Sequence, residues 1–178
     1  MGYRGRPSRL ENGSDQGFAW ARASHNAYRR LGVPQAGRWL ACRPGGPWLC
    51  VDWAHGAGHH QLTSWLHFHP DVVVRPLNAD TLQLEHFGRQ FQLRWLTPGK
   101  VTVEQGWYCP RLGQREKTSA VRWETMLPLP AVCGWCLAWD GSAGNASLET
   151  SASGEARLRW TEPHTSWVFP VTVGAGVP

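Results

Sequence analysis

Apolar and polar positions alternate with a period of two in run after run of this chain, and each run is short. Between Trp48 and Trp53 the alternation separates Leu49, Val51 and Trp53 from Trp48, Cys50 and Asp52, so a strand here puts Asp52 on the same face as Trp48 and Cys50. His55-Gly-Ala-Gly58 then breaks the run. Leu62, Ser64, Leu66 and Phe68 next alternate with Gln61, Thr63, Trp65, His67 and His69, up to Pro70, which has no N–H to give to a ladder. The stretch Trp48 to Pro70 is therefore expected to form a wide antiparallel hairpin around which the rest of the chain is organised.

The same period predicts strands at Phe18–Ser24, Arg38–Arg43, Val72–Val74, Thr81–His86, Gln90–Leu96 and Lys100–Gln105. It predicts more at Ala120–Leu127, Cys133–Trp139, Ala146–Thr150, Glu155–Thr161 and Ser166–Val173. Turn residues separate them: Pro44-Gly-Gly-Pro47, Pro76-Leu-Asn78, Gly88, Pro98-Gly99, Asp140-Gly141 and Ser153-Gly154. Residues 1–17, rich in Gly, Ser and Asn, are expected to be irregular, and residues 174–178 to fray. The expectation is one domain, residues 18–173, of all-β class: an antiparallel two-layer β-sandwich with no helix of ordinary length.

Composition sharpens this picture. The chain has 178 residues, enough for one domain with a real core, and 20 Gly and 13 Pro among only 17% charged residues favour strands and turns over long amphipathic helices. Twelve Trp imply a broad aromatic core, with exposed stacking platforms also expected. The formal charge of +5 comes mostly from Arg, whose planar fork suits carboxylate and sulfate, so an acidic polymer is the expected partner class. The basic residues form no run and no known reader motif, so nucleic acid is not expected as a partner. Nor is a membrane, since no stretch approaches the roughly 18 apolar residues of a spanning helix. Residues 1–20 are polar and Arg-rich, without the apolar centre of a secretion signal.

Of the five cysteines, Cys133-Gly-Trp-Cys136 has CxxC spacing, but no second pair stands at zinc-ribbon distance. The thiols read as small buried hydrophobes. The polar face of the second strand of the expected hairpin carries Trp65 and His67, an indole and an imidazole that suit either a sugar-binding surface or packing under a second sheet. Phe18 and Trp20 anchor a strand whose end delivers His25 and Asn26 to a surface.

At this point the sequence resembles a known family. Ala23-Ser-His-Asn-Ala27 with Leu31-Gly-Val-Pro-Gln35, then Val51-Asp52, Gly56-Ala-Gly-His59, His67-Phe-His-Pro70 and Trp107-Tyr-Cys-Pro-Arg-Leu-Gly113, together resemble the β-sandwich of heparinase II/III-like polysaccharide lyases. The resemblance covers nearly the whole chain. Ala27 and Ala36-Gly37 depart from the family pattern.

The resemblance implies a longer parent in which a helical α/α toroid precedes the sandwich and an acidic polysaccharide binds between them. It implies β-elimination: a base takes the proton α to a uronate carboxylate, a Tyr or His assists the leaving oxygen, and cationic or amide groups neutralise the carboxylate. Catalytic residues are not assigned within this chain, which is expected to be inactive without the toroid. Asn26, Gln35, Trp65 and His67 are the expected substrate-binding residues. His25 matches a metal-ligand position whose partners, a His-x-His stretch and an Asp, would lie upstream, so zinc is implied for the parent and no cofactor is expected in this chain. The resemblance also implies a periplasmic or secreted location. The alternative is a non-catalytic carbohydrate-binding or domain-packing module.

Overall fold

The computed structural model describes residues 5–8, 10–139, 144–151 and 155–171, and each run of period-two alternation expected to be a strand contributes one. In chain order these are β1 (Glu11–Asp15), β2 (Phe18–His25), β3 (Gln35–Cys42), β4 (Trp48–His55), β5 (His59–His67), β6 (Val73–Pro76) and β7 (Thr81–His86). There follow β8 (Arg89–Trp95), β9 (Lys100–Tyr108), β10 (Glu116–Pro128), β11 (Ala131–Trp139), β12 (Asn145–Thr150), β13 (Ala156–Glu162) and β14 (Thr165–Val171). The helical content of the described residues is one 3-10 turn, Arg29–Leu31, ended by Gly32 at φ 82°. The fold is an all-β antiparallel sandwich. The expected tail 174–178 and the turns at Asp140-Gly141 and Ser153-Gly154 fall outside the described residues.

One large sheet has the order β1-β2-β3-β4-β11-β8-β7-β6, and two smaller ones are β5-β10-β9 and β12-β13-β14. Strand β11 shows how they stack. Val132, Cys136 and Ala138 pack into a core with Phe18, Trp39, Leu49, Val51, Trp53, Leu158, Trp160 and Phe169, whereas Cys133, Trp135 and Leu137 pack into a second core with Leu82, Leu93, Trp95, Val121 and Trp123. Successive side chains of a strand point to opposite faces, so the two cores lie on opposite faces of the large sheet. Each half is thus a two-layer sandwich, and the halves share the large sheet. Trp39, Trp53, Trp95, Trp123 and Trp160 are buried, and Trp20, Trp135 and Trp167 pack against the cores.

Two expectations give way. The Trp48–Pro70 stretch is not a hairpin: β4 pairs with β3 and β11, while β5 pairs with β10 along a continuous ladder from His59↔Pro128 to His67↔Ala120. Leu49, Val51 and Trp53 bury in one core and Leu62 and Leu66 in the other, so the Gly56-Ala-Gly58 connection carries the chain from one sheet to another rather than folding it back. The segment 1–17 is also not wholly irregular. Glu11–Asp15, exposed throughout, forms edge strand β1 against β2, and Pro7 bridges His25. An edge strand exposed on both faces carries no apolar alternation, so its sequence gave no period to read. Its register is set instead by the Gln16-Gly17 turn, with φ of 51° and 82° at its centre as in a type I′ hairpin, and by an ion pair from Arg22 to Glu11 at 2.6 Å.

Candidate functional site

The sheet register builds a cleft. Ala23 pairs with Arg38, Arg38 with Asp52 and Asp52 with Cys133; one pleat further on, His25 pairs with Ala36, Ala36 with Ala54 and Ala54 with Ala131. Directly opposed residues share a face, so these two rows run side by side across β2, β3, β4 and β11. The alanines leave the floor low between the longer His25, Arg38 and Asp52. Leu62 and Ser64 of β5, Trp123 of β10, His60, and Tyr28, Leu31 and Val33 around the 3-10 turn wall it in, giving an open cavity of about 690 Å³.

Arg38 grips Asp52 with its fork, Nε donating to Oδ1 at 2.6 Å and Nη2 to Oδ2 at 2.8 Å. These bonds hold the guanidinium above its ordinary, already very high pKa, outweighing the opposing effect of burial. One edge of the fork is thereby used, which leaves the Nη1 donors uncommitted to Asp52. Ser64 Oγ is buried in the cleft wall with no hydrogen-bond partner. His60 Nε2 lies 3.1 Å from the Ala57 carbonyl oxygen.

His25 ends β2 and lines this cleft; its Nδ1 accepts the Ala27 N–H at 3.2 Å, and its ring meets Tyr28 edge-on at 5.2 Å. Asn26 follows, its Oδ1 accepting the Arg6 N–H at 2.7 Å. Gln35 opens β3, donating from Nε2 to Ser24 Oγ at 2.8 Å, while its buried Oε1 has no hydrogen-bond partner. These three residues are therefore neighbours.

Trp65 and His67 are elsewhere. On β5 the inward positions Leu62 and Ser64 line the cleft, so Trp65 and His67, on the alternate positions, face outward from the β5-β10-β9 sheet. Their rings stack at 6.1 Å and Arg122 lies 5.8 Å from the Trp65 ring, whereas the exposed Trp107 of β9, which carries Arg115 at 4.3 Å, falls by register on the other face of that sheet. Arg122 is held by Glu104 at 2.9 Å and Glu124 at 2.6 Å. The five expected site residues thus divide between two surfaces.

Sequence reasoning missed Arg38, Tyr28, His60 and Ser64. Arg38 and Asp52 are fourteen positions apart and meet only through strand register; the available signal was the set of alanines at alternating positions beside polar residues. The CxxC pair behaves as expected of buried thiols. Cys133 and Cys136 belong to different cores and so cannot converge on one ion, and burial, with Asp52 nearby, pushes the Cys133 thiol up to about 12.

A zinc site at His25 would need at least two further protein donors. Among the described residues, the one group of three or more metal-ligating side chains with converging atoms does not include His25, so the described residues do not by themselves complete a zinc site there.

Comparison with known proteins agrees with this architecture. Residues 1–161 match the family described as Heparinase II/III-like, C-terminal. No curated protein matches the sequence. Among solved structures, the heparan sulfate lyase HepC from Pedobacter heparinus superposes with a TM-score of 0.70 at 13% identity, over 98% of this chain and 29% of that one. A heparinase III superposes with a TM-score of 0.71 at 9% identity, over 93% of this chain and 27% of that one. At such identities the likeness is one of fold, and the chain spans less than a third of these lyases. Among the described residues no helix is long and apolar enough to cross a membrane.

Proposed function

Because the chain belongs to the heparinase II/III-like C-terminal family, we propose that it is the β-sandwich part of a polysaccharide lyase that cleaves uronate-containing acidic polysaccharides by β-elimination, and that the alanine-floored cleft is the surface it offers to the polymer. In that reaction a base removes the proton α to the uronate carboxylate. The electron pair becomes the new C=C bond, the glycosidic C–O bond at the β carbon breaks, and the departing oxygen receives a proton. Charge builds on the carboxylate as the proton leaves, so a fixed cation beside it lowers the barrier.

The observation that carries this reading is Arg38, clamped by Asp52 along one edge of its fork and set on the same face as His25. A clamped guanidinium loses little rotamer freedom on meeting an anion, and its free edge can take a carboxylate or sulfate. Asn26 and Gln35 support this end of the cleft through the Arg6 and Ser24 contacts rather than facing the polymer alone.

The proton-abstracting base, in this reading, comes from an α/α toroid joined to the sandwich in a longer chain, as do the further ligands that would make His25 part of a zinc site. The isolated chain is then inactive, and the protein works in the periplasm or outside the cell, where such polymers are met.

A second reading rests on the other surface. Trp65 and His67, with Arg122 beside them, form an exposed aromatic and cationic face suited to stacking on sugars or on another domain, which is what a non-catalytic carbohydrate-binding module would use. The test is the appearance of unsaturated uronate absorbance on heparan sulfate, hyaluronan or alginate. The parent protein carrying the toroid is expected to produce it and the 178-residue chain is not. Failure of the parent on every uronate polymer would favour the module.

A further inference from the structure

The chain leaves the β5-β10-β9 sheet at His67 and enters the large sheet at Val73, and the crossover between them is held tightly. Phe68 N–H donates to the Ser119 carbonyl at 3.2 Å, its carbonyl accepts the Thr118 hydroxyl at 2.6 Å, and Val72 N–H closes a turn on the His69 carbonyl at 2.9 Å. Pro70 fixes one backbone dihedral within that turn. The loop that carries His69 and Asp71 is therefore positioned before any ligand arrives. Its continuation, β6, pairs with β7, and Val73↔Glu85 places the end of the loop beside His86.

His69, Asp71 and His86 bring one ligand atom each to within 4.8 Å of one another. Two ligands of a tetrahedral zinc ion, each at about 2.0–2.1 Å, are about 3.3–3.4 Å apart. His69 Nδ1 and Asp71 Oδ2 already stand at 3.3 Å. The same nitrogen receives the Asp71 N–H at 3.3 Å, a long bond that a cation on Nδ1 would replace, and Nε2 is the other available donor of that ring. The nearby cations have other partners: Arg75 is paired with Glu85 at 2.9 Å, and Arg89, opposite His86, lies 5.6 Å from the Trp139 ring. Tyr108 of β9 packs edge-on against the His69 ring at 4.8 Å, which limits its rotation.

We propose that His69, Asp71 and His86 form a binding site for a divalent d-block cation of the zinc class, which ties the crossover loop to the end of β7. Two imidazoles and one carboxylate are the donors that zinc, cobalt or nickel prefers, whereas calcium and magnesium take oxygen. Three protein donors leave a coordination position for water, so this is an open site at the protein surface. It shares no residue with the alanine-floored cleft and does not depend on the lyase reading. An ion bound to the folded chain and not to the unfolded one raises the unfolding temperature, and here it would do so by joining the two sheets at their connection.

The experiment is thermal unfolding of the chelator-treated 178-residue chain with and without added zinc chloride, with zinc stoichiometry measured after dialysis. Cobalt(II) in place of zinc would report the ligand field by its visible absorption. The wild type should gain several degrees and hold one ion that both His86→Ala and Asp71→Asn lose, while His60→Ala, away from the site, keeps both. Circular dichroism confirms that each variant is folded, and Asp71→Asn, nearly isosteric and exposed, serves if His86→Ala is not. An unchanged stoichiometry and temperature shift in folded Asp71→Asn, or no ion bound by the wild type, overturns the proposal.

Discussion

Arg38 on β3 and Asp52 on β4 stand directly opposite each other and close a two-bond fork, at 2.6 and 2.8 Å, on the floor of the cleft. Both side chains are part-exposed, so the pair is worth less to folding than its geometry suggests. Asp52→Asn is expected to cost about 1 kcal/mol in urea unfolding, yet to weaken binding of uronate oligosaccharides by freeing the guanidinium to sample other rotamers. A large stability loss with unchanged binding would make the pair a purely structural one.

The buried thiols give a pH dependence. Burial raises Cys133 from an ordinary thiol value of 9.0 to about 12, and raises Cys50 and Cys136 in the same direction. The folded state therefore holds protons that the unfolded state releases, and stability, fully present below about pH 9, declines as pH rises through the window up to about 12. Urea midpoints across this range should fall, and Cys133→Ala should flatten the slope. With a thiol reagent at pH 8, exposed Cys109 should react while Cys50, Cys133 and Cys136 stay protected until the chain unfolds.

Burial separates the tryptophans into two kinds. Trp160, 1% exposed, sits in a close-packed core, and Trp160→Ala should cost about 3–5 kcal/mol. Trp65→Ala on the outer sheet face should leave stability within about 1 kcal/mol of the wild type, since it removes an exposed ring and one cation–π contact of about 0.5–1 kcal/mol. Equal losses would mean that the outer face is packed against something in solution.

His25→Ala removes the acceptor for the Ala27 N–H and an edge contact with Tyr28. Both are at a part-exposed position, and the expected cost is about 1 kcal/mol or less. In a longer parent the same change should reduce metal content as well as turnover. A loss of several kcal/mol in the 178-residue chain would instead make His25 a core residue and remove the ligand assignment.

What the sequence revealed and what it hid follow from the range of each interaction. Strand faces such as Leu49/Val51/Trp53 against Asp52 are local, and they emerged from period two alone. The partner of each strand was not local: Leu62 and Leu66 look like the returning arm of a hairpin until the structure shows them in a different core from Val51. Edge strand β1 carries no apolar period because neither of its faces is buried. The cleft was half visible: His25 and Asn26 stood out at a strand end, whereas Arg38 joins them only through the β2–β3 register. Likewise His69 and Asp71 stand together in sequence, but only the β6–β7 pairing brings His86 to them.

Binding of an acidic polymer in the cleft is tested by titrating the isotope-labelled 178-residue chain with oligosaccharides of heparan sulfate, hyaluronan or alginate, followed residue by residue by NMR. Shifts are expected to centre on His25, Arg38 and Asp52, to be abolished by Arg38→Ala and to be weakened by salt. Shifts confined to the outer face around Trp65 and His67, or no shifts with any acidic polymer, would contradict binding in the cleft.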